Sequence, residues 1–174
     1  MTINWEALAK QVGDIGDQEG SSTLSGRRAL EILLGEEQIR GAVDYWISQK
    51  PGCFTAEMVL SILRSRIAME RCYEIYKAER GTENAIRAVF LLAVIAESMA
   101  LPWVSEFLSN ESLGIRWNGL IVISTVLRGP LNDEGIELAR QLLRKAESDS
   151  DSRLSQRARE IELEFSSTLA TSPE

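Results

Sequence analysis

A helical pattern occurs twice in the last third of the chain, first around Ile115, Arg116, Gly119 and Val122, then 39 residues on (115 to 154) around Leu154, Ala158 and Ile161. Self-similarity at roughly 20 to 50 residues marks stacked helical hairpins, because one hairpin cannot bury its apolar face until the next covers it. Such chains build surfaces for other molecules and seldom carry chemistry of their own. Architecture is therefore legible here before function.

The rest of the chain agrees with helix. Apolar residues recur at spacings of three and four, and no segment alternates apolar and polar for more than a few residues. A short helix is expected over Trp5–Val12, followed by a turn-rich polar stretch from Gly13 to Ser22. Helices are expected over 27–34, closed by Gly35, and over 36–49, with Ile39, Val43, Trp46 and Ile47 on one face. Pro51 and Gly52 turn the chain into a hairpin of helices over 55–64 and 66–79, the second with Met69, Cys72, Tyr73 and Tyr76 as a buried stripe. Thr82 suits the N-cap of a long central helix reaching Met99, and Pro102 suits the first turn of a short one ending at Leu108. Helices over 112–127, 132–146 and 152–166 complete the chain, with Asn132 as a cap and Asp133 and Glu134 matching the helix dipole. The expected organisation is an N-terminal helix and linker (1–22), a single helical-repeat domain (23–168) and a flexible tail (169–174).

Charge and residue usage exclude several functions. There are 26 acidic and 19 basic residues, a formal charge of -7 and a pI near 4.8, which oppose non-specific binding to nucleic acid and to anionic membranes. Arg64, Arg66, Arg71, Lys77 and Arg80 cluster, but Glu57, Glu70, Glu74 and Glu79 lie among them, as on a solvated helix laced with ion pairs. Histidine is absent, which removes histidine-based triads and histidine metal sites. Cys53 and Cys72 are the only cysteines and have no zinc-site companions, so they read as core residues in a reducing compartment. Asp14, Asp17 and Glu19 lack the spacing of a calcium loop, and Gly13, Gly16 and Gly20 follow no strand that would make them a phosphate cradle. No metal or cofactor is expected. The longest apolar run, from Ala88 to Ala96, falls well short of the roughly 20 residues of a membrane span. The first residues lack the apolar core of a signal peptide, so a cytoplasmic location is expected.

Phe107, Leu108, Ser109, Asn110, Glu111, Ser112, Ile115, Arg116 and Gly119 form a pattern that Leu142, Leu143, Ser148, Asp149, Asp151, Leu154 and Ala158 repeat, with Ser155 in the place of Arg116. A leucine-rich helix, a polar turn, then a helix opening on an aliphatic residue, Arg and a small residue resembles the HEAT and armadillo-like repeats. The small residue lets neighbouring helices approach. The resemblance covers Leu101 to Phe165 and implies an all-α fold, a short right-handed solenoid of antiparallel hairpins with about nine or ten helices. It also implies that Arg116 braces the turn between repeats, and that the second helices line a concave surface.

On the helix over 112–127, Ile115, Gly119, Val122, Ile123, Val126 and Leu127 share one side, while Trp117 and Ile121 lie nearly opposite. These two either pack on a neighbouring helix or form an exposed apolar patch. Trp117, Ile121, Arg116 and Trp103 are the candidate partner-binding residues, whereas Trp46 shares a stripe with Ile39 and Val43 and belongs in the core. The expected function is a non-enzymatic protein-protein interaction module, an adaptor, inhibitor or assembly factor, with a basic protein favoured as partner and self-association through Trp117 and Ile121 as another route. A small-molecule or enzymatic site using carboxylates or Tyr73 and Tyr76, and a helical-repeat nucleic-acid binder, are the alternatives.

Overall fold

The computed structural model describes residues 4–12 and 23–166; the expected linker over 13–22 and tail over 169–174 lie outside the described residues. Among the described residues the chain is helical, with nine α-helices and one short 3₁₀ turn. None of these helices is long and apolar enough to cross a membrane. The chain forms two compact units, Met1–Ala68 and Met69–Glu174.

The first unit holds α1 (Trp5–Val12), α2 (Thr23–Ile47) and α3 (Cys53–Leu63). Gly35 interrupts α2 with φ 76° and ψ 160°, a conformation open to glycine, so the two helices expected on either side of it meet there at a kink. Beyond the kink, α2 buries Ile39, Val43, Trp46 and Ile47, and it packs on α3, which buries Cys53, Leu60 and Leu63. The intervening turn is held by the Tyr45 hydroxyl, which donates to the Pro51 carbonyl, and by the Trp46 indole, which donates to Glu57 Oε2 at 2.7 Å. Gly41 sits in regular helix, with open space where a methyl group would stand. Gly41→Ala should therefore stabilise the protein by about 0.5–1 kcal/mol, while Gly35→Ala should destabilise it by about 1–3 kcal/mol; chemical denaturation distinguishes the two.

The second unit holds most of α4 (Arg66–Ala78), then α5 (Glu83–Ile95), α6 (Leu101–Leu108), α7 (Leu113–Leu127), α8 (Asp133–Glu147) and α9 (Ser152–Glu164). Thr82 caps α5 through Ala85 N, and Asn132 caps α8 through Gly135 N, as their side chains lead one to expect. The long helix expected to reach Met99 stops at Ile95. Ala96 and Glu97 are extended, and a 3₁₀ turn, Ser98–Ala100, leads into α6. No glycine or proline marks that break, and the apolar run reaches up to it at Ala96, so the residue types conceal it. Helix α7 packs on α5, α6, α8 and α9 and is the hub of the unit.

The 39-residue echo is visible in the hydrogen bonds. Ser109 N donates to Glu106 O and Asn110 N to Phe107 O; correspondingly, Ser148 N donates to Lys145 O and Asp149 N to Ala146 O. Asn110 Oδ1 then accepts from Ser112 N at 2.9 Å, and Asp149 Oδ1 from Asp151 N at 2.8 Å. Short polar side chains bonding the backbone two residues on fix the same turn twice. The small residues that follow also match: Gly119 faces Phe107, whose Cβ lies 2.9 Å from where a methyl on Gly119 would stand, and Ala158 is fully buried.

Candidate functional site

Helix α7 buries Ile115, Gly119, Leu120, Val122, Ile123, Val126 and Leu127, so its position is overdetermined by packing. Two large apolar side chains are left over: Trp117 is 37% exposed and Ile121 36% exposed. They stand one helical turn apart beside α9. With Leu120, Ser124, Thr125, Arg128, Arg157 and Ile161 they line a groove of about 230 Å³. On its other side Trp117 borders a second hollow of about 370 Å³, with Leu113, Gly114, Asn118, Asp151 and Arg153. The indole is thus a ridge between two depressions.

The other two candidates are engaged elsewhere, and neither lines these hollows. Arg116 Nη1 donates to Asn110 O at 3.0 Å and to Glu111 O at 2.9 Å, and its Nε lies 2.9 Å from Asp149 Oδ2. One guanidinium joins the α6–α7 turn to the α8–α9 turn. Asn110 extends the link by donating from Nδ2 to the Tyr76 hydroxyl at 3.3 Å. Lys145 Nζ adds a parallel tie to Ser105 O at 2.9 Å and Ser109 Oγ at 2.7 Å. Trp103, half-buried, stacks on Tyr73 with ring centroids 4.6 Å apart and planes 6° apart.

Tyr73 and its neighbours are occupied in the same way. The Tyr73 hydroxyl donates to Glu106 Oε2 at 2.8 Å, while Lys77 and Arg80 pair with the same carboxylate. Tyr76 is buried edge-on to Phe107. This cluster spends its polar groups on joining α4 to α6.

Sequence reasoning missed one surface. On the first unit, Phe54, Met58 and Ile62 are 60 to 70% exposed and lie four residues apart along α3. The signal was present: they stand opposite the buried Cys53, Leu60 and Leu63, leaving the helix apolar on both sides.

A carboxyl pair lies where α8 meets α9. Burial first, then the hydrogen bond and charge of Glu162, raise the Glu147 carboxyl above the usual glutamate range, against the pull of Arg159 and Arg144. A raised value means that the folded chain holds a proton the unfolded chain releases. Stability from this group is therefore present at low pH and lost as pH rises through the raised value. Glu147→Gln should raise the melting temperature near pH ~7, with the gain shrinking toward pH ~4; thermal melts at the two pH values test this.

Comparison with protein-family models, with curated proteins and with solved structures finds no match to this chain.

Proposed function

We propose that this chain is a non-enzymatic protein-binding module, a short stack of HEAT and armadillo-like hairpins whose α7–α9 groove receives a partner. The observation that carries it is the exposed Trp117–Ile121 pair, set over an apolar trough on the most heavily packed helix of its unit. Large aromatic side chains held rigidly at a surface are typical anchors of protein interfaces. The matching turns, the Arg116 link between them and the close approach at Gly119 favour the repeat architecture. Ser155 stands where the first copy has Arg116, so this linking series ends with the α8–α9 turn.

The charge of -7 favours a basic partner through long-range steering, with association slowing as salt increases. The buried free thiols of Cys53 and Cys72 suit a reducing cytoplasm. The Tyr73 hydroxyl is bound to Glu106, so groups that the enzymatic alternative would use are engaged with each other.

The test is capture of partners from native extract by the wild-type chain and by Trp117→Ala and Ile121→Ala variants. Each variant should melt within a few degrees of wild type and retain the partner about tenfold or more less well. Equal capture by all three chains contradicts the assignment. If the captured protein is the chain itself, light scattering will show the groove to be a self-association surface.

A further inference from the structure

We propose that the partner's contact segment places a glutamine side chain in the hollow beside Trp117, where its primary carboxamide pairs with that of Asn118. This rests on the protein-binding function above and adds the chemistry of one anchor. The observation behind it is an amide without a partner. Four polar side chains are buried among the described residues: Ser65, Asn118, Ser124 and Ser155. Ser65 Oγ accepts from Ile67 N at 3.2 Å, and Ser155 Oγ donates to Ser152 O at 3.1 Å. The Ser124 hydroxyl can rotate onto a carbonyl of its own helix. Asn118 carries two donors and an acceptor, yet among the described residues its carboxamide makes no hydrogen bond, although the residue is only 7% exposed.

Buried polar groups are normally paired, and an unpaired one costs stability. Asn118 lines the hollow of about 370 Å³ that Trp117 borders, so a group entering there can supply what the fold does not. The complement of a carboxamide is a second carboxamide, because each then gives one N–H and accepts one in return. The rest of the wall suits a neutral ligand on a short apolar stem. Leu113 and Trp117 offer apolar surface to the two methylenes of a glutamine. The charged pair at the rim is already closed on itself: Arg153 Nη2 donates to Asp151 Oδ2 at 3.1 Å, and Asp151 Oδ1 accepts from Arg153 N and Leu154 N at the start of α9. A glutamate, of the same shape, leaves the Asn118 acceptor unpaired and brings its charge up to Asp151. A main chain crossing the surface stays above Asn118, which is more than nine-tenths buried, whereas a side chain reaches down to it.

The experiment uses the full isotope-labelled chain and three pentapeptides, Ala-Leu-Gln-Leu-Ala and its Glu and Met counterparts. Each is acetylated at one end and closed by an N-methylamide at the other, so that the glutamine carries the sole primary carboxamide. Followed by NMR, the glutamine peptide should shift the Asn118 side-chain NH₂ and the Trp117 indole N–H, with a Kd about tenfold below those of the other two. Asn118→Leu should melt no lower than wild type, since it removes a polar group that the fold leaves unpaired, and it should bind the three peptides alike. Equal binding of the three peptides to the wild-type chain overturns the anchor, and so does a glutamine preference that survives in Asn118→Leu. Absence of any shift at Asn118 also overturns it, the hollow then holding water only. The protein-binding function itself fails on a different result, equal partner capture by the Trp117→Ala chain.

Discussion

Gly119→Val is expected to cost about 3 kcal/mol and to lower the melting temperature by roughly 6–12 °C. The first added carbon would stand 2.9 Å from Phe107 Cβ, and this atom is fixed to the α6 backbone and cannot rotate away. Leu108 Cδ2, at 3.7 Å, closes another side. Relief requires α6 and α7 to separate, which loosens the contacts of the fully buried Phe107 and Ile115 as well. Valine's better helix propensity returns only about 0.5 kcal/mol, so the sign is not in doubt. Calorimetry on Gly119→Val beside Gly41→Ala separates a packing glycine from an idle one: the first should melt earlier and the second later. An unchanged Gly119→Val melt would mean that α6 and α7 do not approach this closely.

Asp149→Ala is expected to cost a similar amount, about 3 kcal/mol. The side chains of Arg116 and Asp149 are only 15% and 11% exposed, so deleting the carboxylate strands a guanidinium that little water can reach. The same substitution removes the acceptor for Asp151 N, which fixes the turn before α9. Arg116→Met loses the links to Asn110 O and Glu111 O in addition to the ion pair. In a double-mutant cycle the two changes together should cost about 1–3 kcal/mol less than their sum. Additive losses would show that the arginine does not couple the two turns.

Much of this was legible in residue types. Gly35, Thr82, Asn132 and Pro102 each act through a local rule, φ above zero, a cap or a first-turn proline, and the helix boundaries near them fall where those rules place them. The 39-residue echo was legible because Asn110 and Asp149 make the same turn by the same side-chain bond. The end of α5 was hidden because an extended Ala96–Glu97 needs no special residue. At the surface, the helix wheel separated Trp117 and Ile121 from the core side of α7, but their exposure depends on how closely α9 approaches, which no local pattern encodes. Arg116 was legible as a brace by resemblance, and its ion-pair partner 33 residues on emerged only from the packing of α8 against α6 and α7. The α3 stripe went unread because an apolar helix looks the same whether both its sides are covered or one is open.

Partner binding at the groove requires above all that Trp117 stand open to solvent on a rigid helix. Fluorine NMR of the 5-fluorotryptophan-labelled chain, with resonances assigned by single Trp→Phe variants and a neutral gadolinium chelate in solution, measures this directly. Trp117, 37% exposed, should be broadened clearly, to a degree between Trp5 at 65% and Trp46 at 4%, while Trp46 stays sharp. A Trp117 resonance as protected as that of Trp46 would contradict the account.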